Sequence, residues 1–154
     1  MAARELCPEL DASSVPRRVF KLAVAEESAA FQKCGQIESG LDKGDGFIHL
    51  SDHTSARVVA KMFFTTCTDL RIMEIDAHQF AGPVQWLGGE MGDASPPADV
   101  LAKASTTVHF WKTDGCVHVY GSAGVKTSAI VREEAVPLGP DGTHVFPAWL
   151  NGDN

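Results

Sequence analysis

Two short stretches of this chain each set an imidazole two residues from an aromatic ring: Phe47-Ile48-His49-Leu50 and Val117-His118-Val119-Tyr120. Side chains alternate between the two faces of a strand, so Phe47 pairs with His49 on one face, and His118 with Tyr120. The residues between them, Ile48, Leu50, Val117 and Val119, are apolar and suit a core. If the two imidazole faces meet, they form a pocket that can stack a flat ring and hydrogen-bond a hydroxyl, phosphate or carbonyl. A histidine taken singly is more often a structural residue bonded to a main-chain carbonyl. The repeated pattern is what makes His49 and His118 the candidate catalytic residues.

Ser51 and Asp52 follow His49 at the expected start of a helix, where exposed N–H groups suit an anion such as pyrophosphate, although plain N-capping is the commoner role. His53 lies four residues beyond His49 but across a strand-to-helix change, so the helical geometry of a metal pair does not apply. A zinc or copper site from His49, His53 and His118 would need an acidic or cysteine ligand that the spacing does not supply, so no metal is assigned. His78, His109 and His144 have no spacing partner. Asp45 and Gly46 read as turn chemistry, with Gly46 also able to let a ligand approach the backbone. No G-x-S-x-G elbow, no cysteine with a neighbouring histidine and no Gly-rich phosphate loop is present.

The composition narrows the partners. A net charge of −7 and a pI near 5.2, with Lys and Arg not gathered into a stripe, disfavour duplex nucleic acid and anionic membranes while leaving room for one local phosphate pocket. Four widely spaced cysteines read as thiols. No apolar run approaches the roughly 20 residues of a bilayer span, and no secretion signal opens the chain, so a cytoplasmic protein is expected.

The elements that must position these residues follow from period and punctuation. Residues 1–16 read as a surface arm, 17–138 as a single globular domain and 139–154 as a tail, whose Val145, Phe146, Trp149 and Leu150 can pack back on it. Strands are expected at 19–24, 47–50, 69–76, 84–87, 107–112, 117–120 and 128–136, the fifth and sixth forming a hairpin through Asp114 and Gly115. A helix over 26–34 stops at Gly35, and a second over 53–66 carries an apolar stripe of Val58, Val59, Met62 and Phe63 that is expected to be core. Residues 40–46 read as a turn-rich connection. Residues 88–103 read as a long loop with a helical turn near 98–102, either a lid or an insertion. Because strands follow one another without crossover helices, the fold class is α+β: a small, mostly antiparallel sheet, which could be split in two, with two or three helices.

Gly46-Phe47-Ile48-His49-Leu50-Ser51, the helix after it, the 70–76 strand and His118-Val119-Tyr120-Gly121 together resemble the domain-of-unknown-function family numbered 952, with its GFIH-x-S and H-x-YG signatures. The likeness spans about residues 17–138. That family is similar in fold to the ADP-ribosyltransferase and RNA 2'-phosphotransferase group. The resemblance therefore implies a cleft between two small sheets for a nicotinamide or adenine nucleotide, with NAD a possible substrate and no bound cofactor.

In that picture His49 bonds a ribose hydroxyl or phosphate, Tyr120 stacks a base, and His118 is a second donor or proton carrier, with Phe47, Ser51, His53 and Trp86 as ligand-binding neighbours. The family pattern places a Glu after the Trp-like position, whereas Leu87 follows Trp86 here, and Glu90 or Glu74 would have to substitute. The arginine set of the RNA 2'-phosphotransferases is not found, so that reaction is not expected. Three functions remain open: a nucleotide-pocket protein acting on NAD or an ADP-ribose ester, a non-catalytic module for a phosphorylated metabolite, and an interaction subunit docked through Trp111, Trp149 or the tail. Oligomeric state is not set by these features.

Overall fold

Alternation in strand β1 (Arg18–Val24) buries Val19 and Ala23 on one face and Phe20 and Leu22 on the other. A strand that is apolar on both faces needs cover on both, which places β1 inside the sheet. The computed structural model describes residues 6–152 and shows one mixed sheet of seven strands in the order β4-β5-β6-β2-β1-β3-β7. Strand β3 (Leu70–Asp76) runs antiparallel along the whole of β1, and β7 (Ile130–Ala135) flanks β3 beyond a bulge at Glu74/Ile75. On the other side β2 (Ile48–Ser51) meets β1 through the single pair Phe20↔Ser51, then pairs over its full length with β6 (Cys116–Tyr120). Strands β5 (Thr106–Trp111) and β6 form the expected hairpin, and β4 (Val84–Gly88) lies parallel to β5 at the edge.

One face of the sheet gathers Val19, Ile48, Leu50, Met73, Val108 and Val117 beneath Phe31 of helix α1 (Ala25–Cys34). On the opposite face, Phe20, Leu22, Leu70 and Ile72 are covered by Ala56 and Ala60 of helix α3 (Ala56–Phe63) and by Leu150 of the tail. Trp149 stacks on Phe20, and Arg132 lies over the Trp149 ring at 4.8 Å. Arg18 and Arg132 both bond Glu74 across the same region. This cover extends over β1 and β3 and leaves the β2, β6 and β5 portion of that face to other groups.

Four expectations change. The sheet is single rather than split, and it is larger than a small sheet. Among the described residues there are four α-helices rather than two or three, because residues 40–46 form α2 (Gly40–Asp45) in place of a turn, followed later by the short α4 (Ala98–Leu101). Two glycines argue against α2, but Ser39 and Asp42 close a reciprocal capping box and Gly46, at φ +82°, ends it in the left-handed region. The α3 stripe is also corrected: Val58, Met62 and Phe63 are 53%, 65% and 73% exposed. Of the expected stripe only Val59 packs on this core, where Ala56 and Ala60 are the buried residues beside Phe20 and Leu150.

Of the arm, residues 1–5 lie outside the described residues; further on, Leu10 N–H donates to Trp86 O at 2.9 Å and Gly88 N–H to Pro8 O at 2.8 Å, which protects the β4 edge. In the tail, Leu150 is buried and Phe146 and Trp149 pack on the body, while Val145 stays exposed. No disulfide joins the cysteines, and no helix among the described residues is long and apolar enough to cross a membrane.

Truncating Leu150 to Ala should lower the unfolding free energy in urea by about 2–5 kcal/mol, because the cavity sits at a closed junction. Met62→Ala, on the outward face of α3, should change it by no more than about 0.5 kcal/mol. The opposite ranking would show that the buried face of α3 is misassigned.

Candidate functional site

Hairpin register decides which side chains share the open portion of the sheet face. Pairing of His109 with His118 across β5 and β6, and of His118 with His49 across β6 and β2, sets three imidazoles side by side on adjacent strands. Phe47, half-buried just before β2, lies over them, its ring centroid 4.5 Å from His49, 4.5 Å from His118 and 5.0 Å from Tyr120. Trp111 meets His118 edge-on at 4.7 Å. The structure thus brings together Phe47, His49, His118 and Tyr120.

Other expected site residues fall elsewhere. Ser51 stands on the same face one pair further along, opposite Cys116, and is buried. His53 lies in the turn between β2 and α3, off the strands that carry the row. Trp86 belongs to the opposite face, edge-on to Phe110 against the first core, so its place in the ring cluster is corrected. The strand parity of β4 dictates this, since it is Leu87 that pairs with His109. Neither Glu90, which is exposed, nor Glu74, held by Arg18 and Arg132, stands in for the missing acid.

A carboxylate reaches His49 from a different element. Because β1 and β2 share one pair, a gap opens beside His49, and Asp42 of α2 enters it. Its Oδ1 accepts from His49 N–H at 2.9 Å and lies 2.7 Å from His49 Nδ1. Its Oδ2 accepts from Ser39 N–H and from Lys21 Nζ, both at 2.8 Å. Lys21 donates as well to His49 O at 2.9 Å. The main-chain donor and acceptor of His49, which would otherwise face an unpaired strand, are satisfied by these two side chains.

Asp42 and Lys21 are 1% and 4% exposed. Burial opposes the Asp42 charge, but the His49 bond and the Lys21 charge outweigh it and hold the carboxyl well below the usual carboxylate range. Burial pulls the Lys21 ammonium down, with Asp42 opposing. The second ring nitrogen of His49, Nε2, is 2.9 Å from Asp45 Oδ2, and a neutral imidazole can donate to only one of the two carboxylates.

His118, 8% exposed, is pushed down to about 4 by burial first and then by the neighbouring His49 and His109, so it is neutral at pH 7. His109 is pulled down by burial as well. Tyr120 has its phenol pushed up by burial, and its hydroxyl pairs with Ser95 Oγ at 2.9 Å across the 88–103 loop. Beside Phe47 a cleft of about 400 Å³ opens toward Glu38, Asp42, Lys43, Gly121 and Gly124. That volume is within the range of small-ligand sites. No group of three or more His, Cys, Asp or Glu among the described residues is disposed to hold a metal ion.

A single seven-stranded α+β sheet with a ring-lined half-face and a carboxylate-held imidazole defines the class. The chain belongs to the family of proteins of unknown function DUF952, whose profile matches residues 22–133. Among solved structures it is similar to protein CC0527 from Caulobacter crescentus, at 22% identity. The crystal structure of a double mutant of that protein covers 83% of this chain and 93% of the other at TM-score 0.58. A second crystal structure has the same coverage and a TM-score of 0.56, and a solution NMR structure covers 82% and 90% at 0.52. Among curated proteins, no relative matches. The likeness to CC0527 is one of fold.

Replacing Asp42 with Asn should destabilise the chain by roughly 3–5 kcal/mol in urea titrations, since Lys21 would be left buried without its counter-ion. The double variant Asp42→Asn, Lys21→Met should recover part of that loss. A second outcome concerns pH. With His118 protonating near 4 folded and near 6.5 unfolded, the unfolded chain binds the extra proton between these values. Stability should therefore fall, by on the order of 3 kcal/mol, as pH drops from about 6.5 to 4. His118→Phe should flatten that slope, and an unchanged slope would show that His118 does not titrate in this window.

Proposed function

We propose that the chain binds a nucleotide with a flat base, of the NAD or ADP-ribose ester class, at the Phe47 ring cluster and the adjoining cleft, and that His49 handles a proton there. The observation that carries this reading is the Asp42–His49 contact of 2.7 Å. A buried carboxylate on Nδ1 fixes an imidazole's orientation and tautomer, the arrangement a general base needs, and Nε2 is the nitrogen left to meet a ribose hydroxyl once Asp45 yields it. Phe47 supplies a stacking surface at the cleft wall. The carboxylates Glu38, Asp42 and Asp45 favour a reacting part that is neutral or gains positive charge, as a ribose does when its glycosidic bond loosens. The kinship with ADP-ribosyltransferases implied by the two signatures belongs to the same proposal.

Leu87 favours a second reading, a non-catalytic module, because a buried leucine occupies the place where the family pattern sets its acid. Turnover separates the two. The docking-subunit reading has less to support it, since Trp111 packs into the ring cluster and Trp149 onto Phe20.

Differential scanning with NAD, ADP-ribose and ADP-ribose 1'',2''-cyclic phosphate should raise Tm with at least one of them. The gain is worth about 2.7 kcal/mol at a ligand concentration of a hundred Kd. His49→Ala should fold and lose that rise. Release of nicotinamide from NAD by the wild type and not by His49→Ala would make the chain an enzyme, and binding without release would make it a module. No rise with any of the three would reject the nucleotide reading.

A further inference from the structure

The indole nitrogen of Trp111 is buried and has no hydrogen-bond partner among the described residues. Beside it, His118 is more than nine-tenths buried among the rings of Phe47, His49 and Trp111. A buried N–H without a partner is destabilising, and such groups are few in folded proteins. The edge-on approach of the two rings, 69° at 4.7 Å, offers only a weak N–H···π contact in return.

We propose that Trp111 and His118 together receive an uncharged carboxamide or carbonyl group of the ligand, in a part of the site that lies beneath the start of the 88–103 loop. This rests on the reading of the ring cluster as a ligand site and adds a binding residue to it. The donor inventory selects the group. Indole offers one donor, and a neutral imidazole offers one donor and one acceptor. A primary carboxamide, with one oxygen and two N–H groups, meets all three. Charge selects against the alternatives: Asp42 and Asp45 act on His118, and Asp93 acts on His109, so a phosphate or carboxylate would enter a negative field.

The loop explains how the group would be enclosed. Gly89 lies so close to His109 and Trp111 that a Cβ there would collide with both rings, and its N–H donates to Phe110 O at 3.1 Å. Further on, Met91 N–H donates to Asp114 Oδ2 at 3.3 Å, and Ser95 Oγ pairs with the Tyr120 hydroxyl. To admit the group, the stretch from 89 to 95 would lift off Trp111 and Tyr120 and then close on it.

Nicotinamide titrated into the full chain labelled with ¹⁵N-tryptophan tests the proposal, with the three indole N–H signals assigned by single Trp→Phe variants. The Trp111 signal should move to saturation while those of Trp86 and Trp149 stay. Pyridine, which lacks the carboxamide, and nicotinate, which carries a charge, should leave it in place. Trp111→Phe should weaken nicotinamide binding about tenfold. Should that variant not fold, the wild-type shift decides by itself. A Trp111 signal that ignores nicotinamide, or that answers pyridine or nicotinate equally, overturns the proposal. ADP-ribose raising Tm with a silent Trp111 would leave the nucleotide reading standing alone, and the reverse pattern would keep only the carboxamide site.

Discussion

The buried contact among Lys21, Asp42 and His49 joins two parts of the sheet that the backbone ladder barely connects. Strands β1 and β2 share one residue pair, so the strands carrying the rings would have little to fix them against β1 without the side chains that enter the gap. Taking both charges out of water costs several kcal/mol, and an apolar replacement of such a pair is often as stable. Its value here is geometric. Asp42 ties the end of a short capped helix to the imidazole, the main chain of His49 and a lysine on β1, and so sets the ring's position from three directions.

That constraint divides one sheet face by chemistry. Over β1 and β3, α3 and the tail seal an apolar layer, with Arg18, Glu74 and Arg132 clamping its margin. Over β2, β6 and β5 the cover is rings, the 88–103 loop and the strand-like arm along β4. Burial there keeps His118 neutral and raises the Tyr120 phenol, while His49 is held between carboxylates at the boundary. An oriented imidazole, a neutral one and an aromatic lid within a few ångströms are a combination suited to holding a flat, polar ligand.

Much of the scaffold was legible because it depends on local pattern. Gly35 ends α1 where the helical period stops, the alternation over 70–76 is a strand, and Asp114 with Gly115 turns the hairpin. The register of that hairpin was not legible: a two-residue turn at Asp114 and Gly115 would set His118 opposite Trp111, whereas the four-residue turn over 112–115 sets it opposite His109. Other features were not legible. The α3 stripe reads as core by period, yet only Val59 of it packs on the body, beside the buried Ala56 and Ala60. Residues 40–46 read as a turn by their glycines, and a capping box overrode them.

By itself the sequence determined the strands, the pairing of each imidazole with an aromatic ring on its own strand, and the family signatures, because these follow from alternation and turn chemistry within a few residues. Only the tertiary structure decided that Asp42 serves His49, that Lys21 balances it, that Trp86 faces away and that Trp111 closes against His118. These depend on strand order, on where the β1–β2 ladder fails and on how deeply each group is removed from water. All of them are set by contacts between segments far apart in the chain, for which no local period carries a signal.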